Sequence, residues 1–183
     1  MWGTPGAIRK IPCGYFEALW SGMASAWGVL GVCALLTSAV LRLFPVALDG
    51  LRGPLPPVGW AVFAGSVAFL GYFEGYKAFH RGFAPRVVAR ALAIPLRFAP
   101  IAPLFCMGLV HATRRRLVSS WGVTLGVVAL VLLVRQLAQP WRGAVDAGVV
   151  VGLSWGVLST LWFWLRALRG DPPRVPADLP LSG

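Results

Sequence analysis

The chain alternates between long apolar runs and short basic segments. The apolar runs cover residues 19–44, 58–79, 98–112, 120–137 and 143–168. A membrane-spanning helix needs roughly 20 largely apolar residues, so four of these runs are long enough to cross a bilayer. The run over 98–112 is shorter and contains Pro100 and Pro103, and a re-entrant or interfacial segment is expected there.

This pattern predicts an all-α integral membrane protein with a four-span helical bundle, and five spans are the alternative. Five crossings would divide the 17 Lys and Arg residues nine against eight between the two sides, whereas four crossings divide them thirteen against four. Cytoplasmic loops normally carry the excess of positive charge. Four spans with both termini in the cytoplasm are therefore favoured. The first span is expected to be a retained signal anchor.

The predicted organisation has three parts. Residues 1–18 form a cytoplasmic N-terminal segment, residues 19–168 form the transmembrane bundle, and residues 169–183 form a proline-rich cytoplasmic tail that is expected to be disordered. Within the bundle, residues 80–116 form a basic cytoplasmic loop that contains the re-entrant segment.

A short amphipathic helix is predicted at the start of this loop. Pro85 suits the first turn of a helix, and Pro95 ends it. Arg86 and Arg90 fall on one face, and the opposite face is apolar, with Val87, Val88, Ala91 and Leu92. Such a helix is suited to lie in the plane of the lipid headgroups.

The charge of the chain points to lipids as partners. The net charge is +11, but only 13% of the residues are charged and 57% are hydrophobic. Because the basic residues lie between apolar runs, no continuous basic groove for nucleic acid is expected. Anionic headgroups are the expected partners. Their candidate ligands are the arginines of the loop and its flanks, namely Arg86, Arg90, Arg97, Arg114, Arg115 and Arg116.

Glycines recur at four-residue spacing in three of the spans. Gly148, Gly152 and Gly156 lie in the last span, and the pairs Gly71/Gly75 and Gly122/Gly126 lie in the second and in the one that follows the loop. Small residues four apart let two helices approach closely. Packing within the bundle is the favoured interpretation, and a homo-oligomer seam is the alternative.

Glu74 is the acidic residue nearest to the apolar part of the second span. Ionisable residues near membrane depth are costly and tend to be paired or functional. An ion pair with Lys77 or Arg81 on the same helix is the favoured expectation. A functional role is the alternative.

A second polar group lies at the start of the last span. Arg142 and Asp146 are four residues apart and can pair on one helix face. Gln139 precedes them, next to Pro140, which fits the first turn of the helix. A structural pair that closes the helical hairpin is favoured over a proton-binding or substrate-binding role.

The two histidines, His80 and His111, are further candidates, since histidine titrates near neutral pH. Two histidines without a third ligand are a weak metal signal. The three cysteines are isolated in the sequence. No metal and no cofactor are expected, and no catalytic motif is present.

Three segments carry a resemblance: EGYKAFHRGFAPRVVARA, APLFCMGLVHATRRR and RQLAQPWRGAVDAGVVVGLSWG. They resemble segments of a group of small polytopic bacterial membrane proteins of unknown function. The resemblance implies a bacterial inner-membrane location and no particular activity.

Three functions are compatible with these features. The first is a non-enzymatic membrane protein whose basic cytoplasmic loop binds anionic headgroups or a partner. The second is a small transporter or channel subunit that uses Glu74 and Asp146. The third is a membrane-embedded enzyme that acts on a lipid phosphate or an isoprenoid, with arginines as phosphate ligands and Glu74 or His111 as acid or base. The first is favoured.

Overall fold

A computed structural model describes residues 13–53 and 55–179, with side chains from residue 20 onward. Residues 1–12, most of the predicted N-terminal segment, lie outside the described residues. The helices run in the order α1 (Cys13–Arg52), α2 (Pro57–Leu70), a π-helical segment (Gly71–Phe83), α3 (Ala84–Leu92), a 3-10 helix (Leu96–Ile101), α4 (Ala102–Cys106), α5 (Arg114–Val134) and α6 (Trp141–Leu168).

Four helices are long and apolar enough to cross a membrane. They are Trp20–Arg52, Pro57–Leu92, Arg114–Val134 and Trp141–Leu168. The prediction of an all-α fold with four candidate spans is confirmed for the described residues. Within the apolar run over 98–112, the described helical segment is the short Leu96–Cys106. At about 2.0 Å per residue in its 3-10 part and 1.5 Å in its α-helical part it is roughly 20 Å long, too short to cross the hydrocarbon core.

The last helix is the centre of the bundle, because α1 and the second long helix (Pro57–Leu92) both pack along it. These contacts run through glycines. A Cβ placed at Gly143 would lie 2.6 Å from the Cα of Gly50 in α1, and one at Gly148 would lie 2.6 Å from the carbonyl oxygen of Ser66 in α2. The predicted role of the α6 glycines in packing within the bundle is confirmed.

The second long helix continues well beyond its predicted end at residue 79. It passes without a break through the π-helical segment into α3, and Pro85 lies in the first turn of α3. Val87, Val88 and Ala91 are fully buried, and α3 packs against α1, α4 and α6. Three of the four residues of the predicted apolar face are thus covered by protein, whereas Leu92 is exposed. Its in-plane orientation stays a prediction.

Helix α5 stands apart from the rest. It packs along none of the other described helices, and its side chains are exposed over most of its length. Near its start, the Ser120 hydroxyl and the Trp121 indole donate hydrogen bonds to the carbonyls of Met107 and Leu109, each at 3.3 Å, and Val134 is buried at its end. A Cβ placed at Gly122 or Gly126 would meet no atom within 4 Å, so these two glycines take no part in packing within the bundle.

The structure describes the C-terminal tail through residue 179, where it folds back on the bundle. After α6, an ion pair joins Arg166 and Asp171. The backbone then returns toward the loop before α5, where the carbonyl of Asp178 accepts a hydrogen bond of 3.0 Å from the backbone N–H of Thr113. Leu179 packs against the hydrophobic core. Backbone hydrogen bonds hold the tail in place, and such bonds cannot be predicted from the residue composition of the segment.

We predict that Gly143→Ala destabilises the bundle, whereas Gly126→Ala does not. The added methyl group at residue 143 meets the backbone of α1, which cannot move cheaply, and such overpacking costs about 1–3 kcal/mol. At residue 126 the methyl group enters open space, where the effect should stay within about 0.5 kcal/mol. Unfolding of the detergent-solubilised full chain measures both. Equal stability of the two variants would contradict the close approach of α1 and α6.

Candidate functional site

The π-helical segment Gly71–Phe83 meets α6 through a set of close contacts. A Cβ placed at Gly152 would lie 3.0 Å from the Cβ of Glu74, and one at Gly156 would lie 2.7 Å from a ring carbon of Phe79. π-Helical turns are rare and are frequently found at functional sites. The face of this segment that packs on α6 is therefore the candidate functional site.

Glu74 lies half-buried on this face without a charged partner. Its carboxylate oxygen Oε2 occupies the space that a side chain at Gly152 would need, and no ion pair of the described residues includes it. The Lys77 ammonium instead lies over the Phe73 ring, 4.9 Å from its centroid, and Arg81 is exposed. The expected pair is wrong because i→i+5 hydrogen bonding widens the turn and moves position i+3 away around the helix axis.

His80 connects the same face to α6. Its Nδ1 lies 3.0 Å from the hydroxyl oxygen of Ser159, which is buried. The imidazole stacks on the Tyr76 ring, with 5.7 Å between centroids, and contacts the Phe163 ring at 5.3 Å. One hydrogen bond and two ring contacts fix the orientation of this histidine.

A cleft of about 340 Å³ opens beside His80. Its walls come from the second long helix, the end of α6 and the tail, and they include Tyr76, His80, Arg81, Phe163, Pro173 and Arg174. A neighbouring cleft of about 290 Å³ shares Phe163, Pro173 and Arg174 with it. Arg81 and Arg174 form no ion pair with a described carboxylate. The cleft therefore combines two free guanidinium groups with an imidazole and apolar walls.

Arg90 is not a surface residue, and its interpretation as a headgroup ligand is corrected. The side chain is only 1% exposed. Its Nε donates to the carbonyl of Phe105 at 2.6 Å, and Nη2 donates to those of Val110 and His111, both at 3.0 Å. Its Nη1 donates to the carbonyl of Ala177 in the tail at 2.7 Å. A buried cation is stable only when it is fully bonded, and here backbone carbonyls supply the bonds.

The other proposed headgroup ligands have different surroundings. Arg97, Arg114 and Arg115 are exposed. Arg86 is half-buried and donates through Nη1 to the carbonyl of Gly82 at 3.1 Å. Arg116 is half-buried beside Gly108, and its Nε has no hydrogen-bond partner among the described residues. The arginines that were considered as joint phosphate ligands thus have different contacts and do not form one common site.

His111 has a structural surrounding of its own. Its backbone lies in the left-handed region, with φ of 48°, and its ring packs 4.8 Å from the Phe98 centroid. Its ring contacts are with Phe98 and Phe105 rather than with His80. No cluster of three metal-ligating side chains occurs in the part of the chain that the structure describes. Burial raises the pKa of the Cys106 thiol to about 12, so it stays protonated at neutral pH.

The Arg142–Asp146 pair is confirmed at the start of α6. Arg142 Nε lies 3.6 Å from Oδ2 of Asp146, which is too long for a hydrogen bond, and Asp146 is 5% exposed. Gln139 bridges two helices: its Oε1 accepts a bond from the Gly143 N–H, and its Nε2 donates to the Val46 carbonyl of α1. These contacts support the structural interpretation of the group, which lies far along α6 from His80.

Two site residues were missed from the sequence. Ser159 stands in an ordinary apolar stretch of α6, and Arg174 stands in the tail that was expected to be disordered. Seven residues separate Gly152 from Ser159, so the partners of Glu74 and His80 fall on one face of α6. That spacing was the only available signal, and it becomes informative only once the register of the two helices is known.

The chain matches no family model, no curated protein and no solved structure. The resemblance to small bacterial membrane proteins stays a prediction. The function therefore has to be argued from the residues described above.

We predict that Arg90→Lys destabilises the fold strongly, because one ammonium cannot replace a guanidinium that reaches carbonyls in three directions. Hydrogen bonds from charged donors contribute about 1.5–3 kcal/mol each, and we expect a loss of roughly 3 kcal/mol in the unfolding of the full chain in detergent. Arg97→Lys, at an exposed position, is the matched control and should be neutral. A neutral Arg90→Lys would show that the tail and the loop do not depend on this side chain.

Proposed function

We propose that the chain is a non-enzymatic, multi-pass protein of the bacterial cytoplasmic membrane whose basic end binds anionic lipid headgroups. The basic end is defined by seven exposed residues: Lys77, Arg81, Arg97, Arg114, Arg115, Arg169 and Arg174. None of them forms an ion pair with a described carboxylate. Arg166, also at this end, pairs with Asp171. At the opposite end Arg52 pairs with Asp49 and Arg142 pairs with Asp146, whereas the exposed Arg42 and Arg135 form no ion pair with a described carboxylate.

The number of exposed cations without an ion pair among the described residues, seven at the basic end against two at the other, carries the proposal. Cations whose charge is already matched within the protein gain little from an anionic surface, whereas unpaired ones gain about 1 kcal/mol each close to the membrane. The basic end also holds the tail, and the positive-inside rule favours its placement in the cytoplasm. The anionic headgroups of the inner leaflet are its natural counter-charge.

The lengths of the helices agree with such a placement. Ser159, which contacts His80, lies eighteen residues beyond the first residue of α6, or about 27 Å along the axis. The hydrocarbon core of a bilayer is about 30 Å thick. With Trp141 near one boundary, the level of His80 lies near the other, and Arg81 together with the loop arginines lies among the headgroups.

We expect the triple variant Arg97→Gln/Arg114→Gln/Arg115→Gln to lose much of the preference of the full chain for anionic lipid. Each arginine should contribute up to about fivefold, the equivalent of roughly 1 kcal/mol. Spin-labelled phosphatidylglycerol and phosphatidylcholine in reconstituted vesicles measure this preference as the ratio of their motionally restricted fractions. The control variant Arg42→Gln/Arg52→Gln/Arg135→Gln removes three charges elsewhere. An equal loss in both variants would argue against a specialised basic end.

Glu74 favours a second candidate function, a small transporter or channel subunit. Its contact residue Gly152 lies eleven residues, or about 16 Å, beyond the start of α6, which corresponds to the middle of a 30 Å hydrocarbon core. An unpaired carboxylate at that depth is costly, and such residues commonly mark ion or proton pathways. The π-helical segment around it is consistent with a functional site.

If Glu74 takes part in proton movement, Glu74→Gln should lower proton uptake at least tenfold. The measurement uses proteoliposomes of the full chain, a potential set by potassium and valinomycin, and a pH-sensitive dye inside the vesicles. Asp171→Asn, which removes a carboxylate at the surface, is the control and should leave uptake unchanged. Uptake by the wild-type chain that does not exceed that of empty vesicles would remove this candidate.

A further inference from the structure

The cleft beside His80 has a more specific composition than the rest of the basic end. Arg81 comes from the second long helix, and Arg174 comes from the tail on the other side. Tyr76, Phe163 and Pro173 supply apolar walls. Arg81 and Arg174 are exposed, and both border the same open cleft of about 340 Å³.

The position of Arg174 is fixed from both sides. Before it, Asp171 pairs with Arg166, and Pro172 and Pro173 stiffen the backbone. After it, the carbonyl of Ala177 accepts a hydrogen bond from the buried Arg90. The tail therefore already holds Arg174 at the cleft. A free tail would lose conformational entropy when a ligand bound, and this tail loses little.

His80 can complete the set of donors. Its Nδ1 faces the Ser159 hydroxyl at 3.0 Å, and the residue also borders the cleft. In the tautomer in which Ser159 donates to Nδ1, the proton is carried by Nε2, which then is a hydrogen-bond donor. Two guanidinium forks and one imidazole N–H are a suitable donor set for a phosphate group, since arginine matches phosphate oxygens in pairs.

We propose that this cleft binds the phosphate monoester headgroup of a membrane lipid, with Arg81 and Arg174 as its ligands. A monoester offers three terminal oxygens, one more than the diester of phosphatidylglycerol, and so can engage donors from both walls. The apolar walls and the level of the cleft near the lipid boundary favour a lipid over a free phosphate. This inference rests on the proposed function, because it requires the basic end to lie at the headgroups.

Native mass spectrometry of the full chain in detergent, with phosphatidic acid or phosphatidylglycerol added, tests the proposal. We expect one phosphatidic acid per chain to bind at least tenfold more tightly than phosphatidylglycerol. Arg81→Gln and Arg174→Gln should each reduce that affinity at least tenfold. The matched variants Arg97→Gln and Arg169→Gln replace exposed arginines of the basic end outside the cleft and should lower that affinity by no more than about fivefold. Thermal unfolding of each variant confirms that it is folded.

The alternative outcomes separate the two proposals. Equal losses in the cleft and control variants would overturn the cleft and leave general headgroup binding intact. Inorganic phosphate that displaces phosphatidic acid at millimolar concentration would overturn the lipid as the source of the phosphate. Absence of any preference for anionic lipid would overturn both the cleft and the proposed function. Should Arg174→Gln be unstable, Arg174→Lys keeps the charge but not the fork and should still lower the affinity.

Discussion

The buried guanidinium of Arg90 organises one whole end of the molecule. Its nitrogens donate hydrogen bonds to carbonyls of α4, of the loop before α5 and of the C-terminal tail. Its Cζ lies 4.4 Å from the centroid of the Phe105 ring. Three segments that are distant in sequence are thus held by a single side chain. Hydrogen bonds from a charged donor are stronger than those between neutral groups. The cleft beside His80 exists because this arrangement fixes the tail.

The glycines of α6 determine how α1 and the second long helix are positioned on it. Because they allow α1 and the second long helix to approach to backbone contact, α6 has little surface left for other helices on those faces. The same close approach sets the register of the π-helical segment on α6. Glu74 therefore lies opposite a glycine, and His80 lies opposite a serine that can bond it. The chemistry of the site follows from the packing.

Much of the fold could be predicted from the sequence, because length and apolarity alone decide which segments can cross a membrane. The burial of Arg90 could not be predicted, because the sequence of its helix is amphipathic and places this residue on the polar face. Its hydrogen-bond partners are carbonyls of residues 105–111 and 177, whose positions depend on the tertiary structure. The predicted ion pair of Glu74 was wrong for a local reason. The prediction assumed the residue spacing of an α-helical turn, and the segment is π-helical. The Arg142–Asp146 pair was predictable because it depends on one regular helix alone.

The attachment of the tail has a consequence for how the protein is made. The carbonyls of residues 177 and 178 are synthesised after all four long helices, so Arg90 has to wait for them while the ribosome completes the chain. During that interval the guanidinium is incompletely bonded, and water or lipid phosphate at the membrane surface must solvate it. The tail can therefore complete the hydrogen bonding of Arg90 only after α6 has been synthesised.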